Sequence, residues 1–209
     1  MTEKEKMLAG LLYNSLTSEE LNEDRAKCKD LCHEFNLLLP SDIHSQQTLM
    51  RRLLGKTKGD FWITAPFWCD YGYNIEVGEN FYANHNCVVL DVAKVTFGDN
   101  VFIAPNCGFY TAGHPIDARQ RNSGLEFGHP ITIGNSVWIG GGVQVLPGVT
   151  IGDNSVIGAG SVVTKDIPSG VVAVGNPCRV LREIKLNEHL QRNAVGVSLE
   201  VLTKPNAID

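Results

Sequence analysis

Residues 131–166, ITIGNS VWIGGG VQVLPG VTIGDN SVIGAG SVVTKD, are written here in sixes because the chain itself counts in sixes. From Ile133 an aliphatic residue returns at Ile139, Val145, Ile151, Ile157 and Val163, mostly followed by Gly. A small or branched residue stands four positions after each: Val137, Val143, Val149, Ser155, Ser161 and Ile167. A helix repeats near 3.6 and a half-buried strand near 2, so neither explains this period. A sandwich of short strands would need turn signals at 8–12-residue spacing rather than a fixed count. A short-period array of this kind predicts a parallel β-helix in which each hexad is one flat wall and three walls close a coil. Coils then stack at the usual strand spacing of roughly 4.8 Å, and each aliphatic position lies on its equivalent in the next coil. The Gly after each aliphatic residue is expected at a corner where φ turns positive.

Outward from this stretch the register persists. Val77-Gly78, Ala83-Asn84 and Val89-Leu90 keep it, and Phe97-Gly98, Ile103-Ala104 and Phe109-Tyr110 resume it after a two-residue slip near Asp91–Val95. Residues 111–130 cannot be divided into sixes. They are polar and lie between two sets of coils, so they must leave the array as an inserted loop, a frequent seat of function. The array is expected over 59–184, behind a helical cap at 1–58 and ahead of a peripheral tail at 185–209. In the cap, Thr17 to Glu20 has capping-box spacing. Leu21, Cys28, Leu31, Cys32 and Phe35 form an apolar helical stripe. Pro40-Ser41 starts a second helix that buries Ile43, Met50, Leu53 and Leu54 and stops at Gly55. Such a cap covers the open end of a solenoid.

Composition narrows the function. The 209-residue chain has a formal charge of −5 and 43% hydrophobic residues. An acidic balance argues against nucleic acid and membrane surfaces as partners. No apolar run reaches transmembrane length and the first residues carry no signal-peptide pattern. The six cysteines are spaced neither as a disulfide framework nor as a zinc knuckle, which fits buried thiols of a reduced, cytoplasmic protein. His114 stands where the regular coil gives way to the insertion, and an imidazole there can take a proton from a hydroxyl or amine near neutral pH. His85, His114 and His129 are too scattered for the three converging ligands a zinc centre requires, so no metal is expected.

Several stretches then resemble a known family. Tyr82-Ala83-Asn84, Thr111-Ala112-Gly113-His114-Pro115, Ile133 through Gly141 and Val163-Thr164-Lys165-Asp166-Ile167-Pro168 are similar to the hexapeptide-repeat sugar O-acetyltransferases. Lys6-Met7-Leu8-Ala9-Gly10 and Asp70-Tyr71-Gly72-Tyr73-Asn74-Ile75 point to the maltose type, with the galactoside type a near second. The resemblance covers about residues 3–184. It implies a left-handed parallel β-helix, a homotrimer with sites between subunits, acetyl-CoA as donor and a sugar hydroxyl as acceptor. It implies His114 as catalytic base, with Asp70, Asn84, Asp91 and Glu126 toward the acceptor. It implies Trp138, Gly141, Ala159, Thr164, Lys165, Arg179 and Arg182 as coenzyme A contacts. Two departures bear on the acceptor. The galactoside enzymes carry an acidic residue near Asn14-Ser15, and a Ser at the position of Gly141, so only a backbone N–H is available here to meet an oxyanion. Rival readings keep the fold with an amine or antibiotic acceptor, a zinc hydratase, or a non-catalytic trimer.

Overall fold

The computed structural model describes residues 1–185, so the reading of 185–209 as a tail falls, but for Lys185, outside the described residues. The array is a triangular solenoid of three parallel sheets. Wall I stacks Lys56–Thr57, Ile75–Val77, Val95–Phe97, Ile131–Ile133 and Thr150–Ile151. Wall II stacks Phe61–Ile63, Phe81–Ala83, Phe102–Ile103, Trp138–Ile139, Val156–Ile157 and Val171–Val174, and Arg179–Glu183 closes it as an antiparallel edge. Wall III stacks Phe67–Cys69, Cys87–Leu90, Gly108–Tyr110, Gln144–Val145 and Val162–Val163. The chain visits the walls in the order I, II, III, so equivalent residues sit directly above one another. Phe97, Ile133 and Ile151 form one such inward column and Ile103, Ile139 and Ile157 another. All six are at most 2% exposed. Truncating one such Ile to Ala would cost about 2–5 kcal/mol, because a rigid column cannot collapse into the hole.

The glycines do a different job from the one expected. Gly78, Gly98, Gly134, Gly140, Gly152 and Gly158 have ordinary φ, but a Cβ on any of them would collide with the next coil. The left-handed conformation falls two residues later, at Asn80, Asn86, Asn100, Asn106, Ser136, Gly142, Gly148, Asn154, Gly160 and Gly170. Asn tolerates that region better than most side-chain-bearing residues. Here it also gains partners, since Asn80 donates to Asn100 and Asn86 to Asn106, each at 3.0 Å.

The cap begins with α1 (Glu3–Leu8), whose N-cap Thr2 and Glu5 form a reciprocal capping box that the sequence reading did not pick out. Tyr13–Asn14 is a strand rather than part of a helix. α2 (Glu19–Leu37) is capped by Ser18, not Thr17, and buries Leu21, Cys28, Cys32 and Phe35 as the stripe predicts. α3 (Ile43–Leu53) is capped by Asp42 rather than Ser41. It buries Leu49, Met50 and Leu53, while Ile43 at its exposed start is 49% accessible. Gly55 does not end α3 in a left-handed turn; Leu54 is the C-cap, and Gly55 is bare because a Cβ would strike the Tyr73 carbonyl. Cys28, Cys32 and Phe35 join the solenoid interior in one continuous core.

Residues 111–130 are ordered as a hairpin rather than an open loop. Ala112–Gly113 pairs antiparallel with Leu125–Gly128, and α4 (Ala118–Asn122) sits at its tip. Tyr13–Asn14 adds to the other side of Leu125–Gly128, so the start of the chain straps the insertion down.

Candidate active site

Three corner edges run along a triangular solenoid, and they sort the expected residues. The edge between walls III and I carries Asp70, Asp91, the insertion with His114 and Glu126, and then Thr164 and Lys165. The edge between walls II and III carries Asn84, Gly141 and Ala159, with Trp138 beside it on wall II. Wall III separates the two sets. The division therefore follows the corners: Asn84 sits with Trp138 and Gly141, not with His114.

At the first edge Thr111 sets the exit of the insertion. Its hydroxyl donates to the Leu90 carbonyl at 2.6 Å and accepts from the Ala93 N–H at 2.9 Å. Gly113 admits the Phe127 ring, which a Cβ would displace. His114 follows, solvent-exposed, with Nδ1 3.2 Å from the Leu125 carbonyl. A carbonyl can only accept, so this contact places the proton on Nδ1 and leaves the Nε2 lone pair free. The next residue, Glu126, accepts from the Tyr13 hydroxyl at 2.9 Å and from the Ser15 hydroxyl at 2.7 Å. Burial pushes the Asp70 carboxyl above its ordinary range, against the pull of the Arg25 and Lys29 cations. Arg25 reaches from α2, donates to the Tyr71 hydroxyl at 2.9 Å, and keeps a buried Nε with no partner. Arg25, Tyr71, Tyr13 and Ser15 were not expected at this site. Arg25 had a signal: it falls between Leu21 and Cys28 on the buried stripe of α2, a cation where an aliphatic residue would serve packing.

Asp91 does not face this opening. It is wholly buried, and its carboxylate accepts from the N–H groups of Asp70 at 3.0 Å, Tyr71 at 2.9 Å and Asn74 at 3.4 Å. Both oxygens are committed to the turn that carries Asp70. Burial nevertheless pushes this carboxyl up to about 6, with the amides opposing.

At the second edge a groove of about 450 Å³ is lined by Tyr82, Asn84, Phe102, Ile103, Ala104 and Trp138. Phe102 and Trp138 are about half exposed, at 50% and 54%. The outward column of wall II runs Trp62, Tyr82, Phe102, Trp138, Val156, Val172, whereas wall I shows Glu76, Thr96, Thr132 and Thr150 at the matching positions. The Gly141 carbonyl accepts from the Gly160 N–H at 2.8 Å, holding the Gly140–Gly142 and Ala159–Gly160 turns in register. Thr164 and Lys165 are exposed, as are Arg179 and Arg182 on the closing strand. No residue of the insertion lines the groove. A larger cavity, about 610 Å³, lies under α1 beside Tyr73, Lys94 and His129 and contains none of the expected residues.

Most of the chain is similar to known proteins. The description "Maltose acetyltransferase hexapeptide capping motif" matches residues 6–59, and "Bacterial transferase hexapeptide (six repeats)" matches residues 130–165. Galactoside O-acetyltransferase of Escherichia coli K12 is 48% identical over 86% of this chain and 92% of its own length. The chain belongs to the hexapeptide-repeat acetyltransferases of the maltose and galactoside type. The crystal structure of a maltose O-acetyltransferase from Clostridium difficile 630 superposes with a TM-score of 0.86 at 55% identity, covering 88% of this chain and 98% of that one. A galactoside acetyltransferase in complex with coenzyme A gives 0.87 at 47% identity, covering 90% and 94%. The solenoid is left-handed, as in this acetyltransferase family, against the right-handed rule for ordinary crossovers. Among the described residues no helix is long and apolar enough to cross a membrane.

Proposed function

We propose that this acetyltransferase moves acetyl from acetyl-CoA to a hydroxyl of a sugar of the maltose, glucose or galactoside kind, by direct attack with His114 as general base. The observation that carries the reading is the 3.2 Å contact between His114 Nδ1 and the Leu125 carbonyl. With Nδ1–H donated to the Leu125 carbonyl, Nε2 is free to take the hydroxyl proton as oxygen attacks the thioester carbon. The tetrahedral oxyanion meets the Gly141 N–H, and as it collapses the coenzyme leaves as the thiol, taking up the proton that His114 removed from the hydroxyl. Among the described residues all six thiols are buried and no Ser is paired with His114, so none offers a nucleophile for an acyl-enzyme, which favours one-step transfer.

The acceptor end is assigned to Asp70 and Glu126, with Asn84 from the opposite edge. Arg25 is added because its guanidinium faces Asp70 and Tyr71. Asp91 is assigned to holding the Asp70 turn. The coenzyme end is assigned to Trp138, Gly141, Ala159 and Thr164, with Lys165, Arg179 and Arg182 toward the phosphates. Because wall III parts His114 from Trp138 and Gly141 within one chain, the working unit is a homotrimer in which the His114 edge of one subunit faces the Trp138 groove of the next. The exposed aromatic column of wall II, set against the polar wall I, supports this. Buried thiols suit a reducing cytoplasm, where we place the enzyme; secretion of the native protein in an oxidised form would refute it.

A panel of mono- and disaccharides with acetyl-CoA, read by release of free thiol and by mapping the acetylated oxygen, tests the reaction. Turnover confined to an amino group or to chloramphenicol would replace the sugar reading. Mixing inactive His114→Ala protein with an inactive Gly141 variant tests the shared site, because mixed trimers regain activity only if the two edges come from different chains.

A further inference from the structure

Three of the six buried thiols converge where the cap meets the solenoid. Cys28 and Cys32 stand one turn apart on α2, and Cys69 ends the wall III strand on which α2 lies. The Cys69 sulfur is 3.4 Å from that of Cys28 and 3.7 Å from that of Cys32, and all three lie within 4.8 Å of one another. They are 3%, 0% and 3% exposed. Thiolates bound to one tetrahedral cation at about 2.3 Å are separated by about 3.8 Å, and the Cys28–Cys69 and Cys32–Cys69 separations lie within a few tenths of an ångström of that.

Packing alone does not account for the choice of residue. The positions stacked on Cys69 along wall III are Val89, Phe109, Val145 and Val163. The column turns to sulfur only in the coil that α2 covers. Cys87, Cys107 and Cys178 take no part in the cluster.

We propose that Cys28, Cys32 and Cys69 form a three-thiolate site for a thiophilic cation, Zn²⁺ or Cu⁺, which fastens the helical cap to the first coil. Soft thiolates select these two ions. Binding converts the three thiols to thiolates, so three protons pass to solvent as three metal–sulfur bonds form, with no change of oxidation state. The ion has no part in acetyl transfer.

The test uses the full chain, purified under reductant and stripped with a chelator, then given Zn²⁺, Cu⁺ or Cd²⁺ alone. The expected result is one equivalent retained per chain, a thiolate-to-metal absorption band with Cd²⁺ or Cu⁺, and a thermal midpoint raised by several degrees. Cys69→Ser and Cys32→Ser should each lose the band and the shift, whereas Cys87→Ser keeps both. Competition between Zn²⁺ and Cu⁺ identifies the natural ion. Should Cys69→Ser fail to fold, Cys32→Ser alone decides. Wild-type protein that retains no ion, a Cys32→Ser variant that binds like wild type, or a disulfide found within the trio would overturn the proposal.

Discussion

The phenol of Tyr13 donates to one oxygen of Glu126 across 113 positions of sequence, and the hydroxyl of Ser15 donates to the other. Tyr13 and Ser15 are both fully buried. Burial, with the Glu126 charge beside it, drives the Tyr13 phenol far above its ordinary range, so it stays a donor at every working pH. This pairing ties the strand that carries the Leu125 carbonyl, and through it the orientation of His114.

Glu126→Ala leaves two buried donors without an acceptor, at about 1–3 kcal/mol each. Tyr13→Phe removes only one hydroxyl and should cost about 1 kcal/mol. Urea unfolding of both variants measures this. An Ala variant as stable as wild type would mean that the strap is not held by this carboxylate.

His114→Ala should keep the circular dichroism spectrum, because the side chain is exposed and, among the described residues, its hydrogen bond is to the Leu125 carbonyl. It should lower kcat by about 10²–10⁴, the usual share of a general base. Near-normal turnover in a folded variant would remove His114 from the mechanism.

Adjacent glycines should respond in opposite ways. A Cβ at Gly140 would lie 2.6 Å from the Ala159 nitrogen, with no flexible atom to yield. Gly140→Ala should therefore cost at least about 1–3 kcal/mol as an overpacked contact. At Gly141 the nearest atom is the Pro105 carbonyl oxygen at 3.5 Å, an ordinary contact. Gly141→Ser should fold like wild type and leave a hydroxyl beside the proposed oxyanion position. Differential scanning calorimetry of the pair checks the contrast, and equal melting temperatures would contradict it.

Asp91 predicts a pH signature. Its carboxyl is raised to about 6 in the fold, against about 3.9 in an unfolded chain. Between those values the folded state holds the extra proton. This group's contribution to stability is therefore greatest below about pH 4 and is lost as pH rises through about 6. Asp91→Asn keeps an acceptor for the Asp70 and Tyr71 amides and cannot titrate. Relative to that variant, wild type should lose on the order of 2–3 kcal/mol of stability between pH 4 and pH 7. A difference that stays flat across this range would show that Asp91 titrates normally.

The solenoid was legible because one inward column repeats with a fixed period, and a period survives without any knowledge of contacts. The role of the glycines was not, because whether a bare Cα serves dihedral freedom or close approach depends on the coil above it. Cap positions slipped by one residue at Ser18 and Asp42, where adjacent Thr17 and Ser41 offer the same chemistry. Within the expected helical cap at 1–58, Tyr13–Asn14 is a strand because its partner, Leu125–Gly128, lies too far away for a local pattern to report. His114, Trp138 and Gly141 were named from motifs, whereas Arg25 and Tyr71 join the candidate site through a helix packed from elsewhere. Asp91 was expected at the acceptor and instead supports the turn beneath it, a difference set by burial alone.

The hairpin of residues 111–130 also bears on how this chain can fold and change. In wall I, Thr132 pairs with Thr150, 18 positions on, while Val95 pairs with Ile131, 36 positions on. Doubling a loop raises its closure entropy by only about 0.6 kcal/mol. The two ends of the hairpin are already joined where the His129 N–H donates to the Thr111 carbonyl at 2.9 Å. Coils can thus zip together from neighbour to neighbour, with the Tyr13–Glu126 strap the long-range closure left for last. A segment so cheaply excluded from the zipper can lengthen, shorten or be exchanged between relatives while the coils beneath it stay as they are.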